Sequence, residues 1–359
     1  MTSTQRPVRI TDVAALAGVS PGTVSKALNN TGSLKEATRQ RVRAAADKLG
    51  FVPDPDARWL AARRSYTVGL LSADAAGRFS IPVMLGAENA LAAGEMSALL
   101  ATTRYDPVRE AYHLKAFQAR RVDGIIVTGR TTDPRPPVDV DIPVVYAFAP
   151  SSNPDDASVV PDDTDGTTKI IQHLLATGRR RIAHVGGRPR KHTSEVRAAA
   201  AVAALADHGL RLVSEPMFGD WSESWGRRAV DQLLLRHALT ATGDQLLAAD
   251  LVRAERHQAE LSDLDLGLDA IICGSDQIAR GVTDRLRELS IDVPAQLAVT
   301  GFDNWEVMAL SSRPPLTTID LGLEDLGRRA AEQLLDAIAG NPHHGIEYTP
   351  MELIPRASA

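Results

Sequence analysis

Residues 10–29 read ITDVAALAGVSPGTVSKALN, and their spacing decides the first domain. Ile10, Val13, Ala14 and Ala17 recur at intervals of three and four, which puts them on one face of a helix. Gly18 stands where that helix must end, because the left-handed conformation costs glycine no Cβ clash. Ser20 is placed to cap a second helix and Pro21 to open it, where a missing N–H breaks no bond. Val24 and Leu28 then face back onto the first helix, and small Ala14 permits a close crossing. The outward residues Pro21, Gly22, Thr23, Ser25, Lys26 and Asn29 are short, polar or basic. This pattern predicts a helix-turn-helix whose second helix lies in the major groove of DNA. Together with Thr11 and Ser20, these outward residues are the candidate DNA contacts.

Working outward, residues 1–9 form an arm in which Arg6 and Arg9 can meet phosphates or simply be solvated. Ser33 and Glu36 have the spacing of a capping box for a third helix running to Leu49 and ended by Gly50. Val42, Ala45, Ala46 and Leu49 are its apolar side. Residues 1–66 carry 11 Lys and Arg against 5 Asp and Glu, whereas the remainder carries 29 against 40. A basic head on an acidic body is the charge pattern of one part that meets phosphates and one that does not.

The segments DVAALAGVSPGTVSKALN and RVRAAADKLGFVPD resemble the N-terminal signature of the lactose-repressor (LacI/GalR) family of bacterial regulators, and the similarity continues to the last residues. The resemblance implies three parts: a headpiece at 1–53, a hinge helix at 54–66, and an effector-binding and dimerisation domain at 67–359. In the family the hinge folds in the minor groove and wedges a leucine into the central base step. By position that leucine is Leu60, with Ala57 on the same DNA-facing side. Asp54 stands where asparagine is usual, and Asp56 and Trp59 are further departures. Acids there either weaken the phosphate contact or favour the helix N-terminus.

From Thr67 onward strands and helices alternate. TVGLL, SALLATT, GIIVTG and PVVYAFA read as strands, separated by helices at IPVMLGAENALAA and VREAYHLKAFQAR and by a Pro-rich loop. The pattern repeats after residue 158, through IAHVGG, DAIICG and LAVTGFD. The fold class is therefore α/β: a small all-α helix-turn-helix domain followed by two lobes of parallel sheet, the architecture of periplasmic binding proteins. The first lobe is expected at about 67–161 plus 320–340, and the second at about 162–319 plus 341–359. Between Leu235 and Asp269 lie 33 residues, about three times the family's usual length, which include the helix-like LLAADLVRAERHQAEL.

Ligands of open α/β sheets sit beyond the carboxyl ends of the strands. Carried over where the local motif matches, the resemblance implies effector contacts at Arg197, at Trp221 in GDWSESWG and at Asp303 in VTGFDN. It adds Asp276 in CGSDQ, Arg78 and Phe79 in a first-lobe loop, and Lys191 and Thr193. An aromatic face covers the C–H patch of a pyranose, while an arginine and a carboxylate bind its hydroxyls. That set suggests a sugar or a polar sugar derivative. Arg188, Arg190 and Lys191 leave a second class open: pointing inward they favour an anion, pointing outward they are solvated surface charge. For Arg197 and Asp303 the alternative is a structural ion pair, and for Trp221 a core tryptophan.

Nucleotide-binding glycine motifs, a nucleophile elbow and paired metal-binding histidines are absent, so no enzymatic function, cofactor or metal is expected. A single cysteine, Cys273, excludes an internal disulfide. No apolar run approaches the ~20 residues of a membrane span, and the N-terminus lacks the pattern of a secretory signal. These features point to a cytoplasmic homodimer that binds a palindromic operator in double-stranded DNA, with affinity set by a small polar effector. The chief alternative is a solute-binding module of a sugar receptor, opposed by the helix-turn-helix.

Overall fold

The computed structural model describes residues 8–28, 32–51, 64–73, 77–242 and 266–359. The hinge positions Ala57, Trp59 and Leu60, the base-facing Asn29 and the charged insertion at 243–265 lie outside these residues. The chain divides into two compact units, residues 1–66 and 67–359.

The first unit is three helices: α1 (Ile10–Ala17), α2 (Pro21–Leu28) and α3 (Glu36–Leu49). Val13, Ala14, Ala17, Val24, Ala27, Val42, Ala45 and Ala46 form its core. Gly18 (φ 65°) ends α1 and Gly50 (φ 62°) ends α3, both left-handed as their positions require. The capping box at Ser33 does not form. Lys35 is the N-cap of α3, and Glu36 is the first helical residue. Ser33 therefore stands one turn edge too early to reach the first free amides, and Glu36 contributes instead as a negative charge in the first turn.

The second unit holds two parallel sheets. The first has the order β11-β5-β4-β3-β1-β2 and the second β7-β6-β8-β9. The first is built from β1 (Thr67–Ser72), β2 (Ser97–Thr102), β3 (Gly124–Thr128), β4 (Val144–Ala147), β5 (Ser158–Pro161) and β11 (Ile346–Thr349). Its helices are α4 (Ser80–Ala93), α5 (Pro107–Ala119) and α11 (Leu323–Ile338). The second comprises β6 (Ile182–Gly186), β7 (Met217–Phe218), β8 (Ala270–Cys273) and β9 (Ala298–Thr300). Around it stand α6 (Asp163–Ala176), α7 (His192–Ala206), α8 (Glu223–Thr242), α9 (Asp276–Glu288) and the short α10 (Glu306–Ala309). Strands β10 (Thr318–Asp320) and β12 (Glu352–Ile354) pair antiparallel as a separate ribbon.

The interior strands of both sheets are covered on both faces, which explains their apolar runs. In β8, Ile271 and Cys273 pack with Trp225, Val230 and Val282 on one side. Ala270 and Ile272 face the opposite cluster with Ile170, Ile171 and Leu205.

Among the described residues, each lobe contains a helix pair in backbone contact. A Cβ on Gly327 of α11 would lie 1.9 Å from the Val83 carbonyl oxygen of α4, and one on Gly86 of α4 would lie 1.8 Å from that of Glu324. In the second lobe Gly281 of α9 and Gly226 of α8 stand in the same relation to Glu223 and Ile278.

One lobe boundary differs from the expected one. Residues 341–359 are expected in the second lobe, but β11 hydrogen-bonds along β5 in the first sheet, from Ile346–Ser158 to Thr349–Pro161. The chain leaves the first sheet only after Thr349. β11 was illegible as a strand because HHGIEYT, lying at the sheet edge, lacks the apolar run of an interior strand.

Candidate functional site

In the helical unit, the α2 start is built as its residue types require. Ser20 Oγ accepts the Thr23 amide (3.2 Å) and lies 3.0 Å from the Thr23 hydroxyl. Arg41 of α3 donates from Nε to the Ala17 carbonyl (3.0 Å), pinning the end of α1. Thr11, Ser20, Pro21, Gly22 and Lys26 are exposed, and Thr23 and Ser25 are half-buried. These seven candidates cluster at the two helix starts and along α2, leaving a polar face with a cation.

In the second unit the loops leaving the carboxyl ends of both sheets face one cleft of about 1120 Å³. Arg78 and Phe79 follow β1, Arg130–Asp133 follow β3, and Phe148 follows β4. From the other lobe come Arg188, Lys191, Thr193 and Arg197 after β6, Asp220 and Trp221 after β7, Gln277 after β8, and Asp303 and Trp305 after β9. Seven of the eight proposed effector residues thus line one space: Arg78, Phe79, Lys191, Thr193, Arg197, Trp221 and Asp303.

Asp276 does not line it. This residue is completely buried behind the wall, where its carboxylate accepts the Trp305 amide (2.7 Å) and the Thr318 hydroxyl (2.5 Å). Asp276 is the first residue of α9, three residues beyond the end of β8, and the next residue, Gln277, lines the cleft instead.

The floor is an ionic network. Arg197 donates from Nε to Asp163 (2.7 Å) and from Nη1 to the Gly274 carbonyl (2.7 Å), with Asp303 at 3.9 Å. Its guanidinium lies 3.9 Å from the Phe302 ring centroid. Arg78 crosses from the first lobe to Asp303 (2.7 Å), and lies 4.5 Å from the ring centroids of both Phe79 and Trp305. Phe79 stacks on Phe148 at 5.1 Å. Phe148 (φ 71°) and Asp303 (φ 102°) are left-handed non-glycine residues, a strain that concentrates at binding sites.

Trp221 is half-buried, and a Cβ on Gly187 would lie 2.2 Å from its ring, so the indole rests on bare backbone. Thr132, Thr193 and Arg78 each present a buried polar atom (Oγ1, Oγ1 and Nη1) without a protein partner. Orphaned donors of this kind cost free energy unless something else satisfies them.

The rim carries further ion pairs. Arg188 and Lys191 both line the cleft, but each meets an acid: Arg188 with Asp220 at 2.9 Å and Lys191 with Asp133 at 2.8 Å. Arg190 is exposed and does not line the cleft. Asp133 also accepts the His192 amide (2.9 Å) and the Thr131 hydroxyl (3.1 Å). Burial works to raise its pKa, but the bonds from Lys191, the His192 amide and Thr131 outweigh it and hold the carboxyl below its usual range. Asp133, Trp305 and Thr132 carry no motif in the sequence. Their only signal was position after a strand end.

Burial first, and then the charge of Asp303, push the Asp276 carboxyl up to about 8, against the hydrogen bonds from Thr318 and Trp305. The unfolded value is near 3.8. Between these values the folded state holds a proton that the unfolded chain has lost, so this group's contribution falls as pH rises towards 8 and then levels. Asp276→Asn should therefore shrink the loss of stability between about pH 5 and about pH 9, read from urea midpoints. An unchanged difference would mean the carboxyl is ionised throughout.

Comparison with known proteins fits this geometry. Residues 9–54 match the family described as bacterial regulatory proteins, lacI family, and residues 171–359 match the periplasmic binding protein-like domain. The HTH-type transcriptional regulator CelR of Thermobifida fusca is 31% identical over 344 residues, covering 91% of each chain. The chain belongs to the lacI family of bacterial regulatory proteins. It is a DNA-binding, ligand-responsive transcriptional regulator and not an enzyme.

The HTH-type transcriptional repressor PurR of Aliivibrio fischeri (strain MJ11) is 27% identical to this regulator over 97% of each chain. Among solved structures, the Lac repressor dimer bound to operator and the anti-inducer ONPF shares its fold, with a TM-score of 0.69 at 23% identity over 98% of this chain and 99% of that one. The CelR–cellobiose complex superposes with a TM-score of 0.59 at 26% identity, over 99% and 100%. Among the described residues, no helix is long and apolar enough to cross a membrane, and no cluster of three His, Cys, Asp or Glu could hold a metal.

Proposed function

We propose that this regulator is a cytoplasmic repressor that binds a two-fold operator as a dimer and responds to a small sugar or sugar derivative held in the cleft. The observation that carries the ligand site is the set of orphaned polar atoms on Arg78, Thr132 and Thr193, gathered in one cleft beside Trp221. Hydroxyls of a polyol satisfy such donors and acceptors, and the indole covers its apolar face. The cellobiose held by CelR is a ligand of this chemistry.

An apolar edge supports the dimer. Ile81 and Leu85 of α4, Leu100 of edge strand β2, and Val108 and Tyr112 of α5 are all exposed. Apolar surface concentrated around one edge strand marks an interaction face. Effector binding between the lobes and operator binding by the paired α2 helices are then linked, and the coupling is reciprocal.

The test is a thermal-shift screen of the full chain against neutral sugars, sugar phosphates and nucleosides, followed by operator binding on DNA selected from a random library. A neutral sugar should stabilise by about 2.7 kcal/mol at 100 times its Kd. Trp221→Ala should abolish that shift. A ligand that shifts both proteins equally removes Trp221 from the site, and a screen answered only by phosphorylated compounds overturns the sugar assignment.

A further inference from the structure

We propose that Asp133 sets the charge selectivity of the cleft: it is an internal anion that occupies the amino end of α7 and leaves only an uncharged, hydroxyl-bearing ligand to be bound. This deepens the proposal above and rests on the cleft being the effector site.

The amino end of a helix is an anion-binding place, because its first amides lack intrahelical acceptors and the helix dipole favours negative charge. α7 is a 15-residue helix whose N-cap is Lys191. Here an ammonium joins the amides. Across the cleft Asp133 supplies the anion: one carboxylate oxygen takes the His192 amide at 2.9 Å, and the other takes Lys191 Nζ at 2.8 Å and the Thr131 hydroxyl at 3.1 Å. Two of these donors belong to the second lobe and the acid to the first. The contact fills an anion site and ties the lobes together.

The other cations are neutralised in the same way. Arg188 is paired with Asp220, Arg78 with Asp303, and Arg197 with Asp163. Of the cleft's basic side chains, this leaves Arg130, which is exposed. A free anion must compete with carboxylates tethered at effective concentrations on the order of millimolar. Apart from exposed Arg130, what remains open is uncharged. Thr132 is 6% exposed and its hydroxyl has no partner, although it lines the cleft beside Asp133. Thr193, two residues into α7's start from Lys191, is orphaned likewise. These groups call for ligand hydroxyls rather than a phosphate or carboxylate.

Inorganic phosphate is the probe, titrated calorimetrically into the full chain. In Asp133→Asn the amide keeps the shape but not the charge, so Lys191 loses its countercharge and the His192 amide loses its anionic acceptor. Phosphate should bind this variant at least about tenfold more tightly than the unaltered chain, equivalent to 1.4 kcal/mol. Adding Lys191→Met to Asp133→Asn should remove the gain. Phosphate held by the basic headpiece is common to all three proteins and cancels. Should Asp133→Asn fold poorly, Asp133→Ser carries the same expectation.

Two results overturn the proposal: no gain in either variant, or phosphate binding to the unaltered chain as tightly as to Asp133→Asn. A sugar screen without hits would sink the effector assignment but leave the phosphate comparison readable, because the latter needs no effector.

Discussion

Arg197→Met should lower the melting temperature of the larger unit by on the order of 10 °C, and should also abolish any ligand response. The thermal effect follows from what Arg197 touches. Its side chain is 6% exposed and that of Asp163 is 4% exposed. Methionine fills similar volume but leaves the Asp163 carboxylate without its countercharge and the Gly274 carbonyl without its donor. Breaking one partner of a buried pair costs about 3–5 kcal/mol, chiefly because the remaining charge stays buried. Arg197→Met with Asp163→Asn should therefore be more stable than Arg197→Met alone. If the single variant melts like the unaltered protein, the network contributes nothing to the fold. Arg197 is thus both a cleft residue and a structural ion-pair member, two roles that its motif alone left as alternatives.

Gly327→Ala is expected to be the second large effect, and its sign is the test. In an exposed helix the change from glycine to alanine stabilises by roughly 1 kcal/mol. In α11 the added methyl would sit 1.9 Å from the Val83 carbonyl oxygen and 2.8 Å from its carbon. No rotamer relieves a clash between Cβ and backbone, so α4 and α11 must move apart and open the core between them. Overpacking of this kind costs about 1–3 kcal/mol, and more where backbone has to shift. We expect a loss of at least about 3 kcal/mol, read from urea unfolding at constant slope. A stabilised Gly327→Ala would refute the close crossing. Gly281→Ala, in the matching pair of the second lobe, should behave alike, since its Cβ would fall 2.0 Å from the Glu223 oxygen.

Much of the molecule is legible in its sequence. The helix-turn-helix followed from Gly18, Ser20 and Pro21, each of which acts on its own neighbours. The helix at Ser80–Ala93 and the strand at Gly124–Thr128 were readable because an interior element declares itself by a local apolar pattern. Where these local rules competed, they failed. Ser33 and Glu36 had the spacing of a capping box, yet Lys35 became the cap. Edge strand β11, without an apolar run, was assigned to the wrong lobe.

The sequence by itself determined the order of elements, the two-domain division of charge and the strand ends from which a binding site would be built. These depend on contacts within a few residues, where spacing and side-chain type suffice. Only the tertiary structure decided which charges meet. Asp133 finds Lys191 across 58 residues and Arg78 finds Asp303 across 225, because separate strands end at the same cleft. The same folding left Thr132 and Thr193 without partners and sealed Asp276 behind the wall. Such pairings depend on distances between loops that are remote along the chain, so the ligand's charge class was open in the sequence and became arguable only in the folded cleft.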